Sequence, residues 1–219
     1  MLSHVRKICG DRLTAFELLA RTCASAVFAH RPEIRDPLPG ASWYVLVELA
    51  DSGTGDALNH LLERALETDL AANAVVAKND SESKALWSIR HAVPEAQFAN
   101  VKHDVSVPVS KTPELIELAE RAVAATWPQA RIFAFGHVGD GNIHFNIGPE
   151  ALIREREALN RAVYDVVRKL GGSISAEHGV GQLRRGEILR HKDPLELELM
   201  RALKRSLDPR GLMNPGKVL

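Results

Sequence analysis

Cysteine is almost missing from this sequence. Cys9 and Cys23 stand alone among 219 residues, without metal-ligand spacing or a framework of pairs. That argues against a disulfide-stapled scaffold and predicts buried or free thiols in a reducing compartment. Net charge is missing too: Lys+Arg and Asp+Glu are both 28, leaving no electrostatic case for nucleic acid or an anionic membrane surface. No apolar run approaches the ~20 residues of a membrane span. Residues 1–30 carry no signal-peptide pattern, and neither short-period repeats nor low-complexity segments occur. What is plentiful is apolar side chain, 45% of the total, enough for one large or two small packed domains. A cytoplasmic globular protein is the expectation.

The most informative stretch is Phe135-Gly136-His137-Val138-Gly139-Asp140-Gly141-Asn142-Ile143-His144-Phe145-Asn146-Ile147. Its period of two predicts a pair of strands joined by a Gly/Asp/Asn turn. A two-residue loop at Asp140-Gly141 would pair Gly139 with Asn142, Val138 with Ile143 and His137 with His144. The two imidazoles would then stand opposite one another, Cβ atoms roughly 4.5–5.5 Å apart. Two nitrogen ligands beside a carboxamide point to a divalent metal; the alternative is a hairpin with two half-exposed histidines.

Around it, residues 12–30 carry apolar positions at helical spacing, and three prolines mark 31–40 as an extended connector. A strand is expected at 43–49, a helix at 55–70 and a short return strand at 75–77. Ser81 is the expected cap of a helix that carries Trp87 and Arg90 and ends before Pro94. Lys102 to Val109 alternates as a strand, and Thr112-Pro113-Glu114 opens a helix that stops near Pro128. A long helix follows the hairpin from about 149 to 170, then a last strand at 173–176. Residues 102–177 therefore read β-α-β-β-α-β, the ferredoxin-like order, with part of a second such unit at about 40–80. The predicted class is α+β: duplicated ferredoxin-like units forming a mainly antiparallel sheet with helices on one face, and a helical tail over about 180–219. In that tail Asp193-Pro194 starts a helix to about Leu207.

A third metal ligand is best sought in Ser175-Ala176-Glu177-His178-Gly179-Val180-Gly181, where glycines allow close backbone approach. Glu177 would reach the hairpin through the loop at the strand end; the alternative is a solvated Glu-His pair. Arg90 at a helix end and Lys102 at a strand start could converge on a carboxylate, although most arginines and lysines are simply solvated. His103 could line the same pocket. Arg184 and Arg185 read as surface or interface charges.

Three motifs in order, Gly136-His137-x-Gly-Asp-Gly-Asn-x-His144, Ser175-x-Glu177-His178-Gly-x-Gly and Asp208-Pro-x-Gly-x-x-Asn214-Pro-Gly-Lys, carry a resemblance over nearly the whole chain. It resembles the C-terminal domain of FAD-linked oxidases and dehydrogenases of the vanillyl-alcohol-oxidase-like superfamily, in the D-lactate, glycolate and D-2-hydroxyglutarate dehydrogenase branch. The resemblance implies a substrate- and metal-binding domain that sits over FAD held elsewhere. By motif, His137, His144 and Glu177 match metal ligands, usually zinc; Asn146 a substrate contact; His178 the base for the hydroxyl proton. Arg90 in Trp87-Ser-Ile-Arg90 and Lys102 in Lys102-x-Asp104-Val-Ser-Val-Pro108 match the carboxylate-binding pair. Asn214 would belong to a tail facing the flavin domain. The implied reaction oxidises a 2-hydroxy acid to a 2-oxo acid, with hydride passing to flavin.

A family flavin domain of comparable size has no match here. Its Gly-rich pyrophosphate loop has no counterpart in residues 1–130, where Gly53-Thr54-Gly55 is too short and isolated. FAD is expected on a domain or subunit outside this sequence. The chain is expected to open within the substrate domain's first helices, as a fragment, an expressed domain or a natural subunit. Apolar surface meant for the flavin domain would favour homo-oligomers. Two rival functions are a self-sufficient metal-dependent hydrolase using the same three ligands and a non-catalytic subunit that keeps the motifs.

Overall fold

A computed structural model describes residues 1–50, 56–97 and 99–219. Gly53-Thr54-Gly55, and with it the first residue of the helix expected at 55–70, lies outside the described residues. Five strands, β1 (Leu13–Ala20), β2 (Trp43–Leu49), β3 (Asp104–Ser106), β4 (Arg131–His137) and β5 (Asn142–Gly148), form one antiparallel sheet in the order β2-β1-β4-β5-β3. The helices are α1 (Leu2–Cys9), α2 (Arg21–His30), α3 (Asp56–Glu67), α4 (Asp80–Ala96), α5 (Thr112–Thr126), α6 (Arg156–Lys169), α7 (Arg185–His191) and α8 (Pro194–Leu207). The class is α+β, as expected.

The strand order of residues 102–177 follows the β-α-β-β-α-β pattern. β3 lies beside β5 and β5 beside β4, while Ser173 bridges to Ser106 on the far side of β3. The expected last strand at 173–176 is reduced to that single bridge. No strand forms at 75–77; Val75 is exposed there, and β2 is left as the sheet's edge.

The largest correction concerns residues 12–30. Only Arg21–His30 is helical; Leu13–Ala20 is a strand paired on both sides, with β2 and with β4. Near its end this strand is buried on both faces, at Phe16, Glu17, Leu19 and Ala20, and a short doubly buried strand loses the alternation that separates it from a helix. Two smaller corrections concern α4. Its cap is Asn79, which accepts from Glu82 N, and the helix continues through Pro94 to Ala96.

One side of the hairpin is a dry core, with Ala134, Ile143, Phe145 and Ile147 fully buried. Cys9 and Cys23 form no disulfide and are buried, and burial pushes the Cys23 thiol up to about 12, which makes it inert at neutral pH. The other side of the same strands carries the polar groups described next.

Candidate metal and substrate site

Strand register sets out the site before any side chain is considered. Across the sheet, Glu17 stands opposite His137, Phe135 opposite His144, and Asp104 opposite His144 on the other side. Directly paired residues share a face, so Glu17, His137, His144 and Asp104 all project from one side of the sheet.

The hairpin register differs from the expectation by two residues. His144 pairs with Phe135 rather than with His137, and the connection is the four-residue segment 138–141. Asp140 N and Gly141 N donate to His137 O and Val138 O, and the Asp140 carboxylate accepts from Asn142 N. Gly141 has φ +80°, and a Cβ there would lie 2.0 Å from Val107 O, so only glycine fits beneath that strand end. Gly136 is equally constrained, its Cβ position lying 2.5 Å from Asn142 O. A shift of two preserves the face, so the histidines become diagonal neighbours and still converge.

They converge on Glu177. His137 Nε2 lies 3.5 Å from one carboxylate oxygen and His144 Nε2 4.0 Å from the other. The opposite ring nitrogens face two further carboxylates. His137 Nδ1 is bonded to Glu17 Oε1, and His144 Nδ1 lies 4.0 Å from Asp104 Oδ1. The His144 ring stacks on Phe135 with centroids 4.7 Å apart. Burial pushes His144 below the ordinary histidine range, against the pull of Asp104 and Glu177, which keeps its ring neutral and a lone pair available.

Asp104 was missed as a functional residue, although it lies within a quoted motif. Its Oδ2 accepts from both Glu177 N and His178 N at 2.9 Å, while its own backbone oxygen accepts from Ala176 N. Burial pushes its carboxyl up, but the two backbone donors outweigh this and hold it below the usual range. Oδ1 is buried with no hydrogen-bond partner. Asp104, His144 and Glu177 can each bring one ligand atom within 4.8 Å of the others. One imidazole and two carboxylates with that spacing fit a divalent metal, and His137 Nε2 lies beside the same Glu177.

The same cavity, about 290 Å³, is lined by Arg90, Lys102, Asn146 and His178 as well. Lys102 stands exposed at its rim. Arg90 is buried: Nε donates to Glu17 Oε2 at 2.7 Å and its guanidinium lies 4.9 Å from the Phe135 ring centre. Asn146 accepts from His103 N and donates to Gln97. The His178 side chain is 61% exposed, with Nδ1 3.5 Å from Asp104 Oδ2. Arg184 lines the cavity rather than the outer surface, donating to Ser175 Oγ and Gly179 O. Asn214, with φ 48°, is in the exposed tail and is not among the lining residues. A wider cavity of about 660 Å³ meets the first at His137, lined by Arg6, Thr14, Glu17, Trp87 and Asp140 among others.

Comparison with known proteins gives the family. The family model "FAD linked oxidases, C-terminal domain" matches residues 1–218. A rice protein (Oryza sativa subsp. indica) named as a probable mitochondrial D-2-hydroxyglutarate dehydrogenase is 33% identical over 228 residues, covering 100% of this chain and 40% of that protein. D-2-hydroxyglutarate dehydrogenases of Danio rerio and Stutzerimonas stutzeri are 34% and 33% identical, with 98% and 94% of this chain aligned to 41% and 47% of theirs. The chain thus spans less than half the length of these relatives. Among solved structures, the 4-ethylphenol oxidase of Gulosibacter chungangensis in complex with isoeugenol superposes with a TM-score of 0.57 at 16% identity, covering 93% of this chain and 47% of that one, a likeness of fold. The chain belongs to the family of C-terminal domains of FAD-linked oxidases.

Proposed function

We propose that residues 1–219 form the substrate- and metal-binding domain of an FAD-dependent D-2-hydroxy acid dehydrogenase. The observation that carries this reading is the convergence of His137, His144 and the Asp104-held Glu177 in a cavity that also contains Arg90 and His178. His137, His144 and Glu177 would hold the metal, which we take to be zinc. Bound there, a metal would supply Lewis acidity toward the substrate's oxygens, and FAD would supply a hydride acceptor. The remaining work falls to this chain's side chains. Arg90 and Lys102 bind the carboxylate. Within the described residues Arg90 commits only Nε to a protein acceptor, leaving its terminal nitrogens for a ligand. Asn146 borders the substrate, and His178 accepts the hydroxyl proton.

The names of the relatives favour D-2-hydroxyglutarate as substrate. A second carboxylate would suit Arg184, whose hydrogen-bond acceptors Ser175 Oγ and Gly179 O are neutral. FAD would come from a domain or subunit beyond these residues. A matching apolar surface exists: Leu195, Leu199, Leu203 and Leu207 form an exposed i, i+4 stripe along α8, next to the tail bearing Leu212, Met213 and Asn214. Left uncovered, that stripe would drive self-association. We place the protein in the cytoplasm, on its two buried cysteines, which form no disulfide. No described helix is long and apolar enough to cross a membrane.

Metal analysis of the purified chain tests the reading. About one zinc per protomer is expected, lost in His144→Ala; a wild-type chain that takes up none would overturn the metal site. Addition of the separately produced flavin domain should then give flavin reduction by a D-2-hydroxy acid.

A further inference from the structure

Glu17 has no place in the motifs, yet its carboxylate touches both halves of the site. It is 3% exposed on β1 and spans two partners: Oε1 meets His137 Nδ1, and Oε2 meets Arg90 Nε at 2.7 Å. A guanidinium is donor only, so Glu17 Oε2 accepts from Arg90 in a buried ion pair. An ionised carboxylate is acceptor only, so the proton in the other contact belongs to His137 Nδ1. In the neutral ring the His137 lone pair is thereby fixed on Nε2, the nitrogen 3.5 Å from Glu177 Oε1. The backbone reinforces this, because Glu17 and His137 are direct partners across β1 and β4. His137 needs such a tether: its side chain is 44% exposed, whereas that of His144, packed on Phe135, is 13% exposed.

We infer that Glu17 is a positioning residue whose buried carboxylate locks His137 in the Nδ1–H form with Nε2 aimed at Glu177, and orients Arg90 with its other oxygen. One side chain thus sets the spacing between the metal-holding and carboxylate-holding groups. This rests on the function proposed above for the roles of His137 and Arg90, but the locked tautomer stands on geometry alone. Fixing the donor nitrogen of a histidine through the proton on its other nitrogen is a general means of strengthening metal ligation.

Two measurements on the whole chain test it. Long-range proton–nitrogen correlation spectra of metal-free, ¹⁵N-histidine-labelled protein in mildly alkaline buffer should show His137 protonated on Nδ1 and bare on Nε2. In Glu17→Ala that preference should disappear. Zinc affinity, read by competition with a chromogenic chelator, should fall by roughly 10–100-fold in Glu17→Ala. It should fall by less in Glu17→Gln, whose amide oxygen still accepts the proton. A Nε2–H tautomer in the wild type, or Glu17→Ala with tautomer and affinity unchanged, overturns the inference. A purely structural ion pair would lower stability and leave both readouts in place. If Glu17→Ala does not fold, the wild-type spectrum and the Glu17→Gln affinity decide, and wild-type affinity in Glu17→Gln counts against the inference. A wild-type chain that binds no zinc defeats the metal reading instead, and the tautomer still tests Glu17.

Discussion

The two sides of the site are built differently. His137 and His144 stand on strands held by backbone pairing, β4 between β1 and β5, and β5 between β4 and β3. Glu177 and His178 stand on a segment with a single bridge to the sheet, Ser173 to Ser106, and hang from the carboxylate of Asp104. On the sheet side, many backbone bonds set each histidine, and removing one side chain leaves its neighbours in place. On the loop side, one buried carboxylate sets two functional residues at once. The histidines ride on rigid strands, while Glu177 and His178 share the more lightly held loop.

The largest effect should come from the loop, at its exposed histidine. In enzyme assembled with its flavin domain, His178→Asn should slow flavin reduction by roughly 10²–10⁴-fold and leave the metal bound. Rapid-mixing measurement with metal-loaded protein checks it, and a near-wild-type rate removes His178 from the mechanism. Next comes the suspension itself. Asp104→Ala orphans two backbone N–H groups and should cost about 2–4 kcal/mol in urea unfolding, with zinc affinity lost because Glu177 is released. His137→Ala should weaken zinc without comparable loss of stability. If the two variants were equally destabilised, the contrast between loop and sheet would collapse.

Glycine offers a paired test of the same contrast. Gly141 on the sheet side and Gly179 on the loop side both have positive φ, +80° and +72°, but a Cβ would strike Val107 O at Gly141 and meet nothing within 4 Å at Gly179. Gly141→Ala should therefore cost about 3 kcal/mol, and Gly179→Ala about 1 kcal/mol from backbone strain alone. Thermal or urea unfolding of the pair gives the difference directly.

What the sequence disclosed divides along related lines. The hairpin, the helix at Pro194–Leu207, the β-α-β-β-α-β order and the convergence of Glu177 with both histidines could be read from pattern and motif. The histidine pairing was misread by two residues because Asp140-Gly141 favours a tight turn locally. The chain instead tucks Gly141 under Val107, a contact no local rule contains. β1 was taken for helix because burial on both faces erases alternation, and Glu17 was lost with it. Asp104 could have been found only by asking which group satisfies the N–H donors of Ala176 to His178, a question of three-dimensional pairing. Arg184 looked like surface charge because its partners, Ser175 Oγ and Gly179 O, become neighbours only when the loop folds back.

Acid should separate the two sides by a smaller margin. His103 immediately precedes β3, fully buried, with Nδ1 2.8 Å from Phe145 O. A carbonyl only accepts, so Nδ1 carries a proton; burial pushes the pKa down to about 4, so the ring is neutral near pH 7. The unfolded chain takes up that proton near 6.5, the folded chain only near 4, so the unfolded state binds more protons between these values and stability falls as pH drops through the window. From about pH 7 to pH 5 the loss attributable to His103 is roughly 2 kcal/mol, and His144, also pushed down by burial, adds to the same slope. Asp104 acts in the same direction but at lower pH. Its carboxyl is held below the ordinary aspartate value, so its contribution is complete above about 3.9 and is lost only as pH falls through the folded pKa. At pH 5 the sheet side should therefore be weakened while Asp104 still holds Glu177 and His178. Urea unfolding of chelator-treated protein across this range should show the slope, with a shallower one in His103→Phe. A wild-type stability flat from about pH 7 to pH 5 would mean that His103 is not held neutral.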